Sequence, residues 1–156
     1  MNIEPDVKLD YSSVLLRPKR STLGSRKEVQ LERRFWFRNY EPEELSIEIL
    51  RPETNPHFKG IPVMAANMDG VGTFEMADKI GELGLFTCLV KTYSIKELVG
   101  FFNEQRAEYT AYSMGITDDD AAKFRAVYAG APWIKYVCVD VANGYSERFL
   151  NYVASV

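Results

Sequence analysis

The sequence has one histidine, two cysteines and no long apolar run, and each shortage excludes a class of protein. His57 has no second histidine or cysteine cluster to join it, so we expect no metal site. Cys88 and Cys138 lie within apolar runs, which is typical of buried free thiols; a disulfide between them is the alternative. No run approaches the roughly 20 apolar residues that cross a bilayer, and residues 1–8 lack the apolar core of a signal peptide. We therefore expect a cytoplasmic protein without a membrane partner.

The rest of the composition is that of an ordinary globular domain. The 156 residues are 46% hydrophobic and 26% charged, which excludes a disordered or fibrous chain. Nineteen basic and 22 acidic residues give a net charge of −3, too small to indicate a nucleic-acid partner. Eight basic residues and only two acids lie between 17 and 38, and we interpret this segment as a site for a compact anion, with RNA as the alternative.

The hydrophobic pattern divides the chain into two parts. Residues 1–60 are basic and irregular and end in an acidic, proline-rich excursion, whereas residues 61–156 alternate apolar runs with amphipathic segments. The predicted strands are 61–66, 85–90, 109–114 and 134–141, and each is followed by a predicted helix. Four strand-then-helix units in a row predict parallel strands joined by right-handed crossovers.

Two architectures contain such units, an open doubly wound sheet and a (β/α)8 barrel. The first turn lacks the nucleotide-binding glycine pattern, because Glu75 stands where a third glycine would follow Gly70 and Gly72. We therefore predict an α/β fold in which residues 61–156 form the first four units of a parallel (β/α)8 barrel.

Polar residues follow each predicted strand, at the end where a barrel gathers its chemistry. Asp140 interrupts an apolar run, and a carboxylate in such a place needs a cation or hydrogen-bond donors. Lys91 ends the second strand and can supply that cation. The alternative is that these residues only make turns and caps, above all at Asn143. We interpret both cysteines as core residues rather than nucleophiles.

Three blocks of the sequence resemble the GMP reductase family, whose sister family is IMP dehydrogenase. They are Leu9-Asp10-Tyr11 with the run Val14–Leu23, then Ala65–Asp69 followed by Val71–Ala77, and finally Val139–Glu147. The blocks follow in the family's order and cover almost the whole chain. Asn67 and the run Ala-Asn-Gly-Tyr-Ser favour the reductase over the dehydrogenase.

The resemblance implies a tetrameric β/α barrel that reduces GMP to IMP with NADPH and releases ammonia through a covalent cysteine intermediate. It places that cysteine in a glycine-rich loop beyond the last residue of this chain. It implies that Met68 packs against the purine. The residues that it assigns to the cofactor are Ser25, Arg26, Lys91, Asp140, Val141 and Ala142, of which Lys91 and Asp140 also support catalysis.

Three motifs near the predicted site depart from the family pattern. Val90 and Thr92 replace two histidines that flank Lys91, and Gly70 replaces a threonine. Ile116 replaces the hydroxyl residue associated with ammonia release, unless Thr117 substitutes for it. Two alternatives therefore stay open: an NAD-dependent oxidoreductase of the IMP dehydrogenase type, and a catalytically silent nucleotide-binding paralogue or half-barrel.

Overall fold

The computed structural model describes residues 7, 9–36, 57–104 and 108–155. The chain forms two compact units, Met1–Gln30 and Leu31–Val156. The first unit contains two 3₁₀ turns, Tyr11–Ser13 and Arg26–Glu28. Most of the predicted proline-rich excursion, residues 40–56, lies outside the described residues, and the predicted boundary after residue 60 stays a prediction.

The second unit is a four-stranded parallel sheet that follows an antiparallel ribbon. The ribbon pairs β1 (Arg33–Trp36) with β2 (His57–Gly60). The sheet has the order β3-β4-β5-β6, so each strand lies beside its neighbour in sequence. Its strands are β3 (Met64–Ala65), β4 (Phe86–Cys88), β5 (Thr110–Met114) and β6 (Tyr136–Val139). The helices that follow them are α1 (Phe74–Gly81), α2 (Ile95–Asn103), α3 (Asp118–Gly130) and α4 (Glu147–Ser155).

Side-chain caps define where the helices begin. The Thr73 hydroxyl accepts from the backbone N–H of Met76 and starts α1. Ser94 and Thr117 form reciprocal capping boxes with the acids three residues later, which satisfy backbone donors that a helix start leaves unpaired. After α1 the chain turns back through Gly84, whose φ of 74° is the left-handed conformation that favours glycine.

Successive side chains of each strand point to opposite sides of the sheet, so the buried residues lie on two faces. One face packs Leu89, Tyr112 and Met114 against the helices, where Phe102 and Val127 are fully buried. We call the opposite side the inner face; it is formed by Met64, Phe86, Cys88, Ala111, Ser113, Tyr136 and Cys138.

The ribbon covers the amino ends of the strands on the inner face. The Phe58 ring of β2 makes edge contacts with Phe86, Tyr109 and Tyr136, at centroid distances of 5.5, 6.0 and 6.2 Å. Each partner lies at or just before the start of its strand, so Phe58 closes this end of the sheet. Among the described residues, no helix has the length and apolar character needed to span a membrane.

Candidate active site

An ion pair joins the two residues that the sequence pattern singles out. Lys91 lies three residues after the end of β4, and Asp140 directly follows β6. The Nζ atom of Lys91 lies 3.1 Å from Oδ2 of Asp140, and the two side chains are 43% and 44% exposed. Exposed pairs of this kind contribute little to stability. The pair lies half-exposed at the carboxyl end of the sheet.

The surroundings of Asp140 keep its carboxyl group ionised. Its backbone N–H donates to the carbonyl of Met114 at 2.8 Å, which extends the ladder between β5 and β6. The neighbouring Lys91 ammonium lowers the pKa of the Asp140 carboxyl below its usual value, and the Asn67 amide adds to the effect. The structure thus holds a carboxylate and a cation side by side.

Asn67, at the end of β3, brings a third polar group to the pair. Its side-chain nitrogen Nδ2 is buried and makes no hydrogen bond of normal length and angle, although the amide lies near enough to Asp140 to lower its pKa. A buried donor without a partner costs about 1–3 kcal/mol. The Asn67 amide therefore belongs to the polar group around Asp140.

Two hydrogen bonds hold the backbone at Val90 and Lys91. The Nζ atom of Lys123, on α3, donates to the carbonyl oxygen of Lys91 at 2.8 Å. The N–H of Val90 donates to the carbonyl of Gly72 at 2.8 Å. Sequence reasoning missed Lys123, because its contact spans 32 residues and nothing local to α3 signals it.

Thr117 already uses its hydroxyl as a helix cap. Its Oγ1 accepts from the backbone N–H of Asp120 at 3.1 Å and donates to Oδ2 of that residue at 2.6 Å. This hydrogen bond is the main reason that the pKa of Asp120 is lowered. Thr117 therefore has no donor left to replace the hydroxyl missing at Ile116.

The loop after β6 contains turn and cap residues, as the alternative interpretation of Asn143 expects. Oδ1 of Asn143 accepts from the N–H of Tyr145 at 3.0 Å, and the Ser146 hydroxyl accepts from the N–H of Phe149 at 3.2 Å, at the start of α4. Val141 is half-buried and Ala142 is exposed. Their contact with a cofactor stays a prediction.

The other predicted site residues lie in two places. Met68 is 63% exposed, in the turn after β3, and its carbonyl accepts from the N–H groups of Val71 and Gly72. Ser25 and Arg26 are exposed residues of the first unit, where the Ser25 hydroxyl accepts from a backbone N–H two residues later. The predicted roles of all three stay predictions. Among the residues described, no cluster of three or more His, Cys, Asp or Glu side chains could hold a metal ion.

Nearly the whole chain is similar to curated GMP reductases. It is 45% identical to GMP reductase 2 of Bos taurus, 43% to GMP reductase 2 of Homo sapiens and 41% to GMP reductase of Salmonella arizonae. Each match covers 99% of this chain but only 41% of the relative. No protein-family model matches the sequence.

A solved structure supports the predicted fold. The chain is similar to an inosine 5′-monophosphate dehydrogenase from Legionella pneumophila, with a TM-score of 0.52 and 24% identity over 61% of this chain and 28% of that one. Together with four successive parallel β/α units, this likeness confirms the predicted α/β class and the partial (β/α)8 barrel. Over 99% of its length, the chain is homologous to the GMP reductases, as the three sequence blocks predict.

Proposed function

We propose that the chain supplies the cofactor-facing part of an active site that reduces GMP to IMP with NADPH and releases ammonia. The ion pair between Lys91 and Asp140 at the carboxyl end of the sheet is the observation that carries this assignment. The names of its relatives support it too. Because the chain spans 41% of their length, the cysteine nucleophile belongs, in this proposal, to residues outside it.

The polar groups at the strand ends fit a nicotinamide ring with its carboxamide. A carboxamide needs both a donor and an acceptor, and the strand ends offer the Lys91 ammonium and the Asn67 amide as donors beside the Asp140 carboxylate as acceptor. Val141 and Ala142 would line the ring. Ser25 and Arg26 would bind the phosphate end, where the arginine fork suits a bidentate contact. When bound, the cofactor supplies the hydride.

Lys91 and Asp140 have complementary parts in this scheme. The Asp140 carboxylate orients the Lys91 ammonium, and that ammonium holds a proton at Nζ. Ammonia leaves the purine more readily when its nitrogen receives a proton, so Lys91 is placed to act as general acid. Met68, exposed in the turn after β3, would pack against the purine.

The departure at Ile116 favours a second candidate. Since the Thr117 hydroxyl is committed to Asp120, the third strand end offers no free hydroxyl in its place. A site without that group fits an NAD-dependent oxidation of IMP or a nucleotide-binding protein without turnover. The functional assay therefore has to distinguish three outcomes.

The test is a turnover assay on the purified protein that contains this chain. Loss of NADPH absorbance with GMP is the expected result, whereas NADH formation from IMP and NAD would indicate the dehydrogenase. Nucleotide binding without either reaction would indicate the silent paralogue. Lys91→Ala should lower kcat about 100-fold or more, as expected for the loss of a general acid. Lys96→Ala, at an exposed lysine of α2, is the matched control and should keep full activity.

The proposal extends to assembly and location. We infer a homotetramer in the cytoplasm that takes only small-molecule purine nucleotides. Light scattering on the purified protein measures the assembly state, and a mass other than four chains would contradict it. Fractionation of cells tests the location.

A further inference from the structure

A lysine of α3 anchors the backbone of the residue that forms the ion pair with Asp140. The Nζ atom of Lys123 donates to the carbonyl oxygen of Lys91 at 2.8 Å, across 32 residues of chain. This length is typical of a charge-assisted hydrogen bond, which is about twice as strong as a neutral one. Lys123 is half-buried, whereas Lys91 is exposed. The contact therefore fixes the Lys91 backbone and leaves the Lys91 side chain to pair with Asp140.

The start of α3 is itself fixed to the end of β5. Oδ2 of Asp120 accepts from the N–H of Thr117 at 3.2 Å and from its hydroxyl at 2.6 Å. The same oxygen lies 2.5 Å from the point that a Cβ on Gly115 would occupy, so the carboxylate packs directly on the backbone there. Asp120 and Lys123 are three residues apart and lie on the same side of the helix. Lys123 thus reaches Lys91 from a helix whose start is held in place.

The second partner of the ion pair is tied to the same part of the sheet. The N–H of Asp140 donates to the carbonyl of Met114, the last residue of β5, at 2.8 Å. On the other side of Lys91, the N–H of Val90 donates to the carbonyl of Gly72 at 2.8 Å. Hydrogen bonds from α3 and β5 therefore hold the backbones of both partners.

We propose that Lys123 is a positioning residue that sets the Lys91 ammonium against the Asp140 carboxylate. The inference rests on the proposed function, in which Lys91 is the general acid. An exposed ion pair has little rigidity of its own, because ordering two long side chains offsets most of the Coulomb energy. The side chains of this pair are 43% and 44% exposed, so its geometry depends on where the two backbones lie. Misplacing a catalytic group by about 1 Å costs about 100-fold in rate in unfavourable cases.

The experiment measures turnover of GMP with NADPH by the purified protein that contains this chain. Lys123→Met removes the donor but keeps a long side chain, and it should lower kcat about tenfold with KM unchanged. Lys123→Arg keeps a donor and should restore part of the rate. Arg125→Met is the matched control, because Arg125 is an exposed residue of the same helix, and this variant should keep full activity. Full activity in Lys123→Met would overturn the proposal.

A double-mutant cycle separates positioning from stability. Lys91→Ala removes the ammonium but keeps the backbone carbonyl that Lys123 contacts. In that background, Lys123→Met should lower the thermal midpoint as much as it does alone, yet it should cause no further loss of kcat. An equal fold-loss of kcat in both backgrounds would show that Lys123 acts independently of Lys91, and this result would also overturn the proposal.

Crystal structures distinguish a failure of this inference from a failure of the proposed function. If the unaltered protein turns over no GMP, the proposed function fails, but the geometry of the ion pair still tests the role of Lys123. In Lys123→Met, the distance from Nζ of Lys91 to Oδ2 of Asp140 should increase from 3.1 Å to beyond hydrogen-bonding reach, whereas Arg125→Met should leave it unchanged. An unchanged distance in Lys123→Met would overturn the inference whatever the activity.

Discussion

Replacing Gly72 by alanine should destabilise the protein because backbone surrounds this residue. An added Cβ would overlap the carbonyl oxygen of Cys88 and lie 2.9 Å from the nitrogen of Val90 and 3.0 Å from the oxygen of Ala66. None of these atoms belongs to a flexible side chain. Overpacking costs about 1–3 kcal/mol, and we expect the upper end because strand backbone has to move. Urea denaturation measures this as a loss in the free energy of unfolding.

Gly100→Ala provides the control with the opposite sign. Gly100 lies inside α2, and a Cβ there would meet nothing within 4 Å. Alanine in an open helix position should stabilise the protein by about 0.5–1 kcal/mol. Gly72→Ala should also lower turnover, because Gly72 accepts from Val90, the neighbour of Lys91. A Gly72→Ala protein as stable as the unaltered one would refute this reasoning.

Three further predictions concern residues around the sheet. Burial raises the pKa of Tyr112 to about 12, above its value of about 10 in the unfolded chain. The stability that the neutral Tyr112 contributes is therefore lost as the pH rises from about 10 through about 12. Tyr112→Phe should reduce this loss when unfolding is measured against alkaline pH. The Thr117 hydroxyl lowers the pKa of Asp120, so its contribution is present above about pH 4 and is lost as pH falls through the lowered pKa. Asp120→Asn should therefore reduce the acid dependence of the thermal midpoint, and equal acid slopes would contradict this. Lys123→Ala removes the hydrogen bond to the Lys91 carbonyl and should lower kcat about tenfold with KM unchanged. Lys123→Arg should restore part of the rate. A change in KM alone would count against the positioning role of Lys123.

Local chemistry explains what could be predicted from the sequence. The starts of α2 and α3 follow from Ser94 and Thr117, because each cap and its acid lie three residues apart. A partner for Asp140 is also predictable, because a carboxylate in an apolar run needs a cation or donor, and in the structure Lys91 is that cation. The predicted strands are longer than the paired ones: residues 61–66 form a ladder only at Met64–Ala65.

Contacts between distant residues account for what could not be predicted. Strand β2 lies in a region whose sequence predicts an irregular excursion. It pairs with β1, which is far away in the chain, and such a pairing has no local sequence pattern that could predict it. The inner face likewise depends on which strand positions point to the same side of the sheet. Cys88 and Cys138 share that face as free thiols, but β5 lies between their strands, and Cys88 pairs with Ala111 whereas Cys138 pairs with Ser113.

A double-mutant cycle on Lys91 and Asp140 tests the central claim most directly, with kcat/KM for GMP reduction as the readout. If the two side chains act as one unit, Lys91→Ala and Asp140→Ala will each cause nearly the full loss, and the double variant will be no worse than either. Losses that multiply in the double variant would show that the residues act independently, and the account of the site would be wrong.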